Sequence, residues 1–141
     1  MKTPWHLWVV SILAVLWNGF GAVDYVMTQT RNPTWLAQFP PEQVAYFDTY
    51  PTWVQACWAV AIWSSVLASL FLLFRRAISA QLFLVSILFL ALAALYNFGL
   101  AEVTLAEAVG PTVVYFWAAI GAVAVFLWLY SRIMSARDYL M

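Results

Sequence analysis

Four long apolar stretches, separated by segments that carry most of the polar residues, dominate the chain. They run from about 6 to 27, 53 to 74, 80 to 100 and 111 to 130. Each is close to the roughly 20 residues that an α-helix needs to cross the hydrocarbon core of a bilayer. The alternating pattern of a barrel strand is absent, and a helix satisfies its own backbone hydrogen bonds in lipid. The pattern therefore predicts an all-α integral membrane four-helix bundle, in a single domain covering residues 1–141.

The composition supports the same fold class. Of the 141 residues, 66% are hydrophobic and only 9% are charged, whereas soluble domains carry about 25% charged residues. A soluble fold of this length has too large a surface to hide so many apolar side chains. The first stretch follows Met1-Lys2 as a signal peptide would, but it is long for one, and we expect it to be retained as a span. The formal net charge is +0, so we expect no nucleic-acid partner.

The distribution of charge predicts an orientation. Five basic residues fall on one side of the four spans and a single one falls on the other. The five are Lys2, Arg75, Arg76, Arg132 and Arg137, and the single one is Arg31. Cytoplasmic loops carry the excess of basic residues in membrane proteins. Both termini, including a tail at 131–141, are therefore expected in the cytoplasm, and five of the six acidic residues would lie outside.

The two connections on the predicted outer side differ in length. The one at 101–110 reads as a short loop, whereas the one at 28–52 is long and contains several prolines. Asn32 followed by Pro33 is a typical helix start, which predicts a short helix over Pro33–Phe39. A second short helix would begin at Pro40-Pro41 and continue to Tyr50. Both are too short to span, so a short helical outer (periplasmic) segment is expected between the first two spans.

Aromatic side chains are concentrated in this outer segment. They are Trp35, Phe39, Tyr46, Phe47 and Tyr50. Aromatic rings suit the membrane surface or the mouth of the bundle. One interpretation is a cap that shields the helix ends, and the other is a docking surface for a partner or a ligand. The sequence leaves both open.

Polar residues near the outer ends of the spans form a second candidate site. They are Asp24, Gln55, Tyr96, Asn97 and Tyr115. Their common depth would allow a shallow polar cavity open to the outside, because polar groups in lipid need partners. The alternative is a set of ordinary interface residues that bind water, lipid head groups or one another.

Small and polar residues within the spans are candidates for helix packing. Asn18 and Gly21 share one face of the first span, and Asn18 is expected to make an interhelical hydrogen bond. Ala61, Ser65 and Ser69 recur every four residues in the second span, as Ala118 and Ala122 do in the fourth. Such stripes favour close packing within the bundle, and less often a dimer face.

The sequence carries few residues suited to catalysis. His6 is the single histidine and Cys57 the single cysteine. There is no Ser/His/Asp set, no carboxylate dyad within a span and no Gly-rich phosphate loop. We therefore expect no enzymatic activity, no cofactor and no metal site.

Several runs resemble a known group of proteins. These are Pro4–Val10, Leu16–Ala22, Asp24–Arg31 and Ala45–Phe47, with the likeness continuing from Pro51 to Trp63. They resemble small uncharacterised four-helix inner-membrane proteins of alphaproteobacteria, some of which are loosely labelled sugar transporters. The likeness covers roughly half of the chain and implies a bacterial inner membrane.

Two functions are consistent with these features. The first is an accessory, assembly or stabilising subunit of a larger bacterial inner-membrane complex of the respiratory, photosynthetic or transport type. Its partners would be the lipid bilayer and other membrane subunits. The second is a small-solute, sugar-like carrier or binding protein that acts as an oligomer. The aromatic outer segment and the lack of a catalytic set favour the first.

Overall fold

The computed structural model describes residues 2–141 and confirms the predicted all-α membrane bundle. Four helices are long and apolar enough to cross a membrane, so the chain is a multi-pass membrane protein. They are α1 (Trp5–Gln29), α4 (Thr52–Leu73), α5 (Ser79–Leu95, extended by a π-helix at Tyr96–Leu100) and α7 (Thr112–Ala136). Three short helices lie between them: α2 (Pro33–Leu36), α3 (Pro41–Asp48) and α6 (Leu105–Val109).

The last span is longer than the sequence predicts. Helix α7 continues to Ala136 instead of ending near residue 130, so half of the expected tail is helical. Ser131 and Met134 are buried against the rest of the bundle. Because packing holds this part of the helix, the tyrosine and arginine that follow the apolar run do not end it.

The short helices end the bundle at what we call the capped end. The side-chain oxygen of Asn32 accepts a hydrogen bond from Trp35 N at 3.1 Å, as expected of the cap of α2. Helix α2 ends at Leu36, three residues before the predicted Phe39. The expected loop at 101–110 contains α6. Thr104 and Glu107 start this helix with a reciprocal capping box, in which each side chain bonds the other's backbone N–H.

The spans pack in the order α1, α4, α5, α7. Helix α4 contacts both α1 and α5, and α5 also packs against α7. Helices α1 and α7 meet at the opposite end of the bundle, where His6 Nδ1 lies 2.5 Å from the Tyr130 hydroxyl. We call this the basic end, because it carries the five basic residues named above. A core there is formed by Leu7, Ala14, Ala68, Leu72, Phe83, Leu127, Met134 and Leu140.

The predicted packing residues of α1 and α4 lie between α1, α4 and α5, whereas Ala118 and Ala122 of α7 are exposed and do not pack within the bundle. Asn18 Nδ2 donates a 2.8 Å hydrogen bond to Ser69 Oγ, which in turn donates to the Ser65 carbonyl. A Cβ atom added at Gly21 would stand 3.4 Å from Ile62 Cδ1, so Gly21 faces α4, although an alanine would also fit there. On the other side of α4, Ser86 Oγ of α5 donates to the Ala61 carbonyl at 2.7 Å.

Candidate functional site

The capped end has an aromatic core of its own. Tyr46, Tyr50, Val54 and Leu105 are all buried there. The ring of Tyr50 makes edge-to-face contacts with three neighbouring rings, at centroid distances of 5.5 to 5.9 Å. Such pairs add about 0.5–1.5 kcal/mol each beyond the area that they bury. The α3 segment is therefore packed onto the ends of α4 and α5.

A buried hydrogen bond ties this core to the π-helix. The Tyr50 hydroxyl donates to Asn97 Oδ1 at 2.7 Å, and Asn97 Nδ2 donates to the Ala93 carbonyl at 2.8 Å. Asn97 is 0% exposed. The π-helix begins one residue before Asn97, and such widened turns are frequent at functional sites. Both polar atoms of the asparagine amide thus have partners in a site without solvent.

The environment of the two buried tyrosines disfavours their ionised forms. Burial raises the pKa of Tyr50, and the neighbouring Tyr46 and Tyr96 raise it further. Burial also raises the pKa of Tyr46, as do the neighbouring Tyr96 and the negative charge of Glu107. The phenolic groups of this core are therefore neutral at physiological pH.

A cavity of about 230 Å³ lies beside the aromatic core. It is enclosed by the end of α1, the segment with α2 and α3, and the start of α4. Its lining residues are Thr28, Gln29, Arg31, Leu36, Val44, Phe47, Asp48, Tyr50, Gln55 and Trp58. Arg31 and Asp48 form an ion pair at its rim, and both side chains are about half-exposed. Gln55 Nε2 donates to the Tyr50 carbonyl at 3.3 Å. The cavity thus offers charged, amide and aromatic groups to a small polar molecule.

The structure does not bring the five predicted polar residues into one cavity. Tyr96 and Asn97 join the Tyr50 core, and Gln55 lines the cavity beside it. Asp24 instead accepts a 2.9 Å hydrogen bond from Trp35 Nε1 of α2. Tyr115 is 77% exposed on α7. The prediction grouped these residues because they lie at a similar depth in the membrane. Their side chains leave the helices in different directions, which separates them in the structure.

The five predicted aromatic residues face the bundle more than the surroundings. Tyr46 and Tyr50 are buried, and Trp35, Phe39 and Phe47 are partly buried. The ring of Trp35 lies 6.0 Å from that of Phe20, and the ring of Phe47 lies 6.0 Å from that of Trp58. This geometry favours the cap over the docking surface.

Sequence reasoning missed several residues of this end. The sequence prediction uses Arg31 and Asp48 only as charges of the outer side. Arg31 precedes α2 and Asp48 ends α3, and opposite charges that flank such a short segment could have indicated an ion pair. Leu105 was part of an expected loop. The capping box of Thr104 and Glu107, which the sequence does show, could have located its helix.

Neither metal ligands nor relatives add to this description. Within residues 2–141, no three His, Cys, Asp or Glu side chains are grouped so that they could hold a metal ion. No family model, curated protein or solved structure matches the chain.

Proposed function

We propose that this protein is a non-enzymatic accessory subunit that assembles with a larger complex in a bacterial inner membrane and stabilises it. The observation that supports this best is the exposed side of α7, which we call its open side. Its buried residues are Leu127, Ser131 and Met134, all in the half nearest the basic end. Residues 112–126 of this helix contain no buried side chain.

The open side has the composition of a helix-packing face. Ala118, Ala122 and Val125 lie on one face of α7, and all three are exposed. They point away from α5, because the buried Leu127, Ser131 and Met134 lie on the opposite side of the helix. Small side chains let two helix backbones approach closely in lipid, where packing and not the hydrophobic effect drives association. The proposed occupant of this face is an apolar transmembrane helix of another subunit.

The proposed orientation places both termini in the cytoplasm. The basic end carries five of the six basic residues, which is the distribution of cytoplasmic segments. The capped end, with its packed aromatic core, would then face the periplasm and shield the helix ends there.

Site-specific photocrosslinking in intact cells tests the proposal. A photoreactive residue at Ala122 should give one discrete adduct with another membrane protein. The matched control is Leu16, which is exposed at a similar depth on α1 and should give lipid adducts only. Recovery of only lipid adducts from Ala122, or of the same protein adducts from both positions, would contradict the proposal.

The cavity at the capped end favours a second candidate function. Arg31, Asp48 and Gln55 supply hydrogen-bonding groups, and Trp58 supplies an aromatic face. Sites for small polar ligands combine a few such groups with apolar walls. This supports binding of a small, sugar-like solute, within an oligomer if the solute is also carried across the membrane.

Calorimetric titration of the purified protein with a panel of neutral sugars tests this second candidate. Saturable binding is expected, and Gln55→Leu should weaken it about tenfold through loss of a polar contact. Gln38→Leu is the control, because Gln38 is exposed outside the cavity. Absence of saturable heat across the panel, or an equal effect of both variants, would rule it out.

A further inference from the structure

The basic end contains positive charges that no acidic side chain of the described chain neutralises. Asp138 is the single acid at this end, against five basic residues. Among residues 2–141, the only ion pair is that of Arg31 and Asp48 at the capped end. Arg75 donates to the Tyr139 carbonyl at 3.1 Å, so its guanidinium is partly engaged within the chain. Arg132 has no such acceptor.

Arg132 lies in a groove of about 380 Å³ between α5 and α7. Its guanidinium carbon stands 5.4 Å from the centre of the Trp128 ring, so a cation–π contact holds it above the groove. Gln81 and Ser135 are the other polar residues of the lining. The amide nitrogen of Gln81 donates to the Ala77 and Ile78 carbonyls, so the Ser135 hydroxyl is the donor that accompanies the positive charge of Arg132.

The groove opens to lipid and not to another helix of the chain. Trp128 and Tyr130 are two residues apart on α7, so their side chains leave opposite sides of the helix. Tyr130 contacts His6 of α1. The groove therefore lies on the flank of the α5–α7 pair that faces away from α1.

The groove changes from polar to apolar with depth. Helix α5 runs into the membrane from the basic end, so Leu84 lies deeper than Gln81. Helix α7 runs toward that end, so Trp128 lies deeper than Arg132 and Ser135. A polar upper part above an apolar lower part matches a phospholipid, whose phosphate lies at the interface and whose acyl chains lie below it. A soluble anion would make no favourable contact with the apolar wall.

We propose that this groove is a binding site for an anionic phospholipid. The lipid phosphate binds the Arg132 guanidinium and the Ser135 hydroxyl, and one acyl chain lies along Leu84 and Trp128. Arg132 is suited to this role because its guanidinium donates two parallel hydrogen bonds to phosphate oxygens. Basic pockets between transmembrane helices are known to bind anionic head groups.

Native mass spectrometry of the full chain, released from detergent with defined lipids, tests this site. Phosphatidylglycerol should stay bound, whereas phosphatidylcholine with the same acyl chains should be lost. In Arg132→Gln the apparent affinity for phosphatidylglycerol should fall about tenfold, as expected for loss of a charge-assisted contact. Ser135→Ala, which keeps the charge, should cause a smaller fall in the same direction.

The matched control is Arg76→Gln, because Arg76 is exposed at the same end but outside the groove. Its effect should stay within about twofold, since Arg76 contributes only to the general positive potential of this end, which salt screens. Equal losses in Arg76→Gln and Arg132→Gln would show diffuse attraction to the basic end and overturn the proposal. Displacement of the lipid by equimolar inorganic phosphate would overturn it too, by showing a site for free anions. Unchanged helical circular dichroism in each variant excludes misfolding as the cause.

Discussion

The two ends of the bundle handle their polar groups in opposite ways. At the capped end, Arg31 pairs with Asp48, and Tyr50 and Asn97 bond each other inside an aromatic core. At the basic end, Arg132 stands over Trp128 beside an open groove without an acidic neighbour. The polar groups of the aromatic core at the capped end are thus satisfied within the chain, whereas the guanidinium of Arg132 at the basic end has no acidic partner among the described residues. This difference predicts that substitutions in the aromatic core of the capped end act on stability and that substitutions in the groove of the basic end act on lipid binding.

The largest effect is expected from Leu105→Ala. Leu105 is 0% exposed in the core of the capped end, and truncation of a buried leucine costs about 2–5 kcal/mol. The free energy of unfolding, measured by SDS titration in mixed micelles, should fall by that amount. Val103→Ala is the control, because Val103 lies two residues away and is largely exposed. If both variants unfolded alike, the capped end would not be closed by this core.

The next effect is expected from the pair of Tyr50 and Asn97. Tyr50→Phe or Asn97→Ala leaves a buried polar partner unsatisfied, which costs about 1–3 kcal/mol. The double variant should lose less than the sum of the two, since neither group remains to be satisfied. SDS unfolding of the wild type and the three variants gives the coupling energy. Strict additivity would show that the two side chains do not interact across the capped end.

The sequence predicted the spans well because a single property decides them. Hydropathy alone selects the helices that cross lipid, and each of the four predicted stretches overlaps a spanning helix over most of its length. The end of α7 was missed because burial of Ser131 and Met134 extends it. Such burial depends on neighbours that are distant in sequence, so no local pattern predicts it.

The candidate site was less predictable than the fold. Asp24 and Tyr115 lie at the expected depth, but the rotation of their helices carries them away from Asn97. That rotation is set by packing, for which hydropathy gives no signal. Asn18 was easier to place, because its donors need a partner in lipid and the small residues of α4 mark the nearest helix.

A smaller effect, of opposite sign, is expected from Tyr46→Phe. The Tyr46 hydroxyl is buried and has no hydrogen-bond partner among the described residues. Its removal should raise the free energy of unfolding at pH 8 by about 1 kcal/mol or less. A lower free energy of unfolding would show that the hydroxyl has a stabilising partner, such as a water molecule.

Tyr46 also predicts a dependence on alkaline pH. Burial raises its pKa in the folded protein above the ordinary value of 10.0. The unfolded chain therefore loses the proton first, and stability that is fully present below pH 10 falls as the pH rises through the folded-state pKa. Thermal unfolding from pH 8 to 11 should show a smaller decline in Tyr46→Phe than in the wild type. Equal declines would assign the alkaline sensitivity to other groups.

The smallest effect on stability is expected from the charged residues, and it compares the two ends directly. Arg31→Gln removes an ion pair that is about half-exposed, and such pairs contribute only about 0–1 kcal/mol. The resulting loss should shrink further as salt is raised. Arg132→Gln breaks no ion pair and removes only an exposed cation–π contact, so in lipid-free detergent it should lower the free energy of unfolding by about 1 kcal/mol or less. When phosphatidylglycerol is added, the wild type and Arg31→Gln should gain stability through binding, whereas Arg132→Gln should gain little. Equal gains in all three proteins would mean that the lipid does not distinguish the two ends.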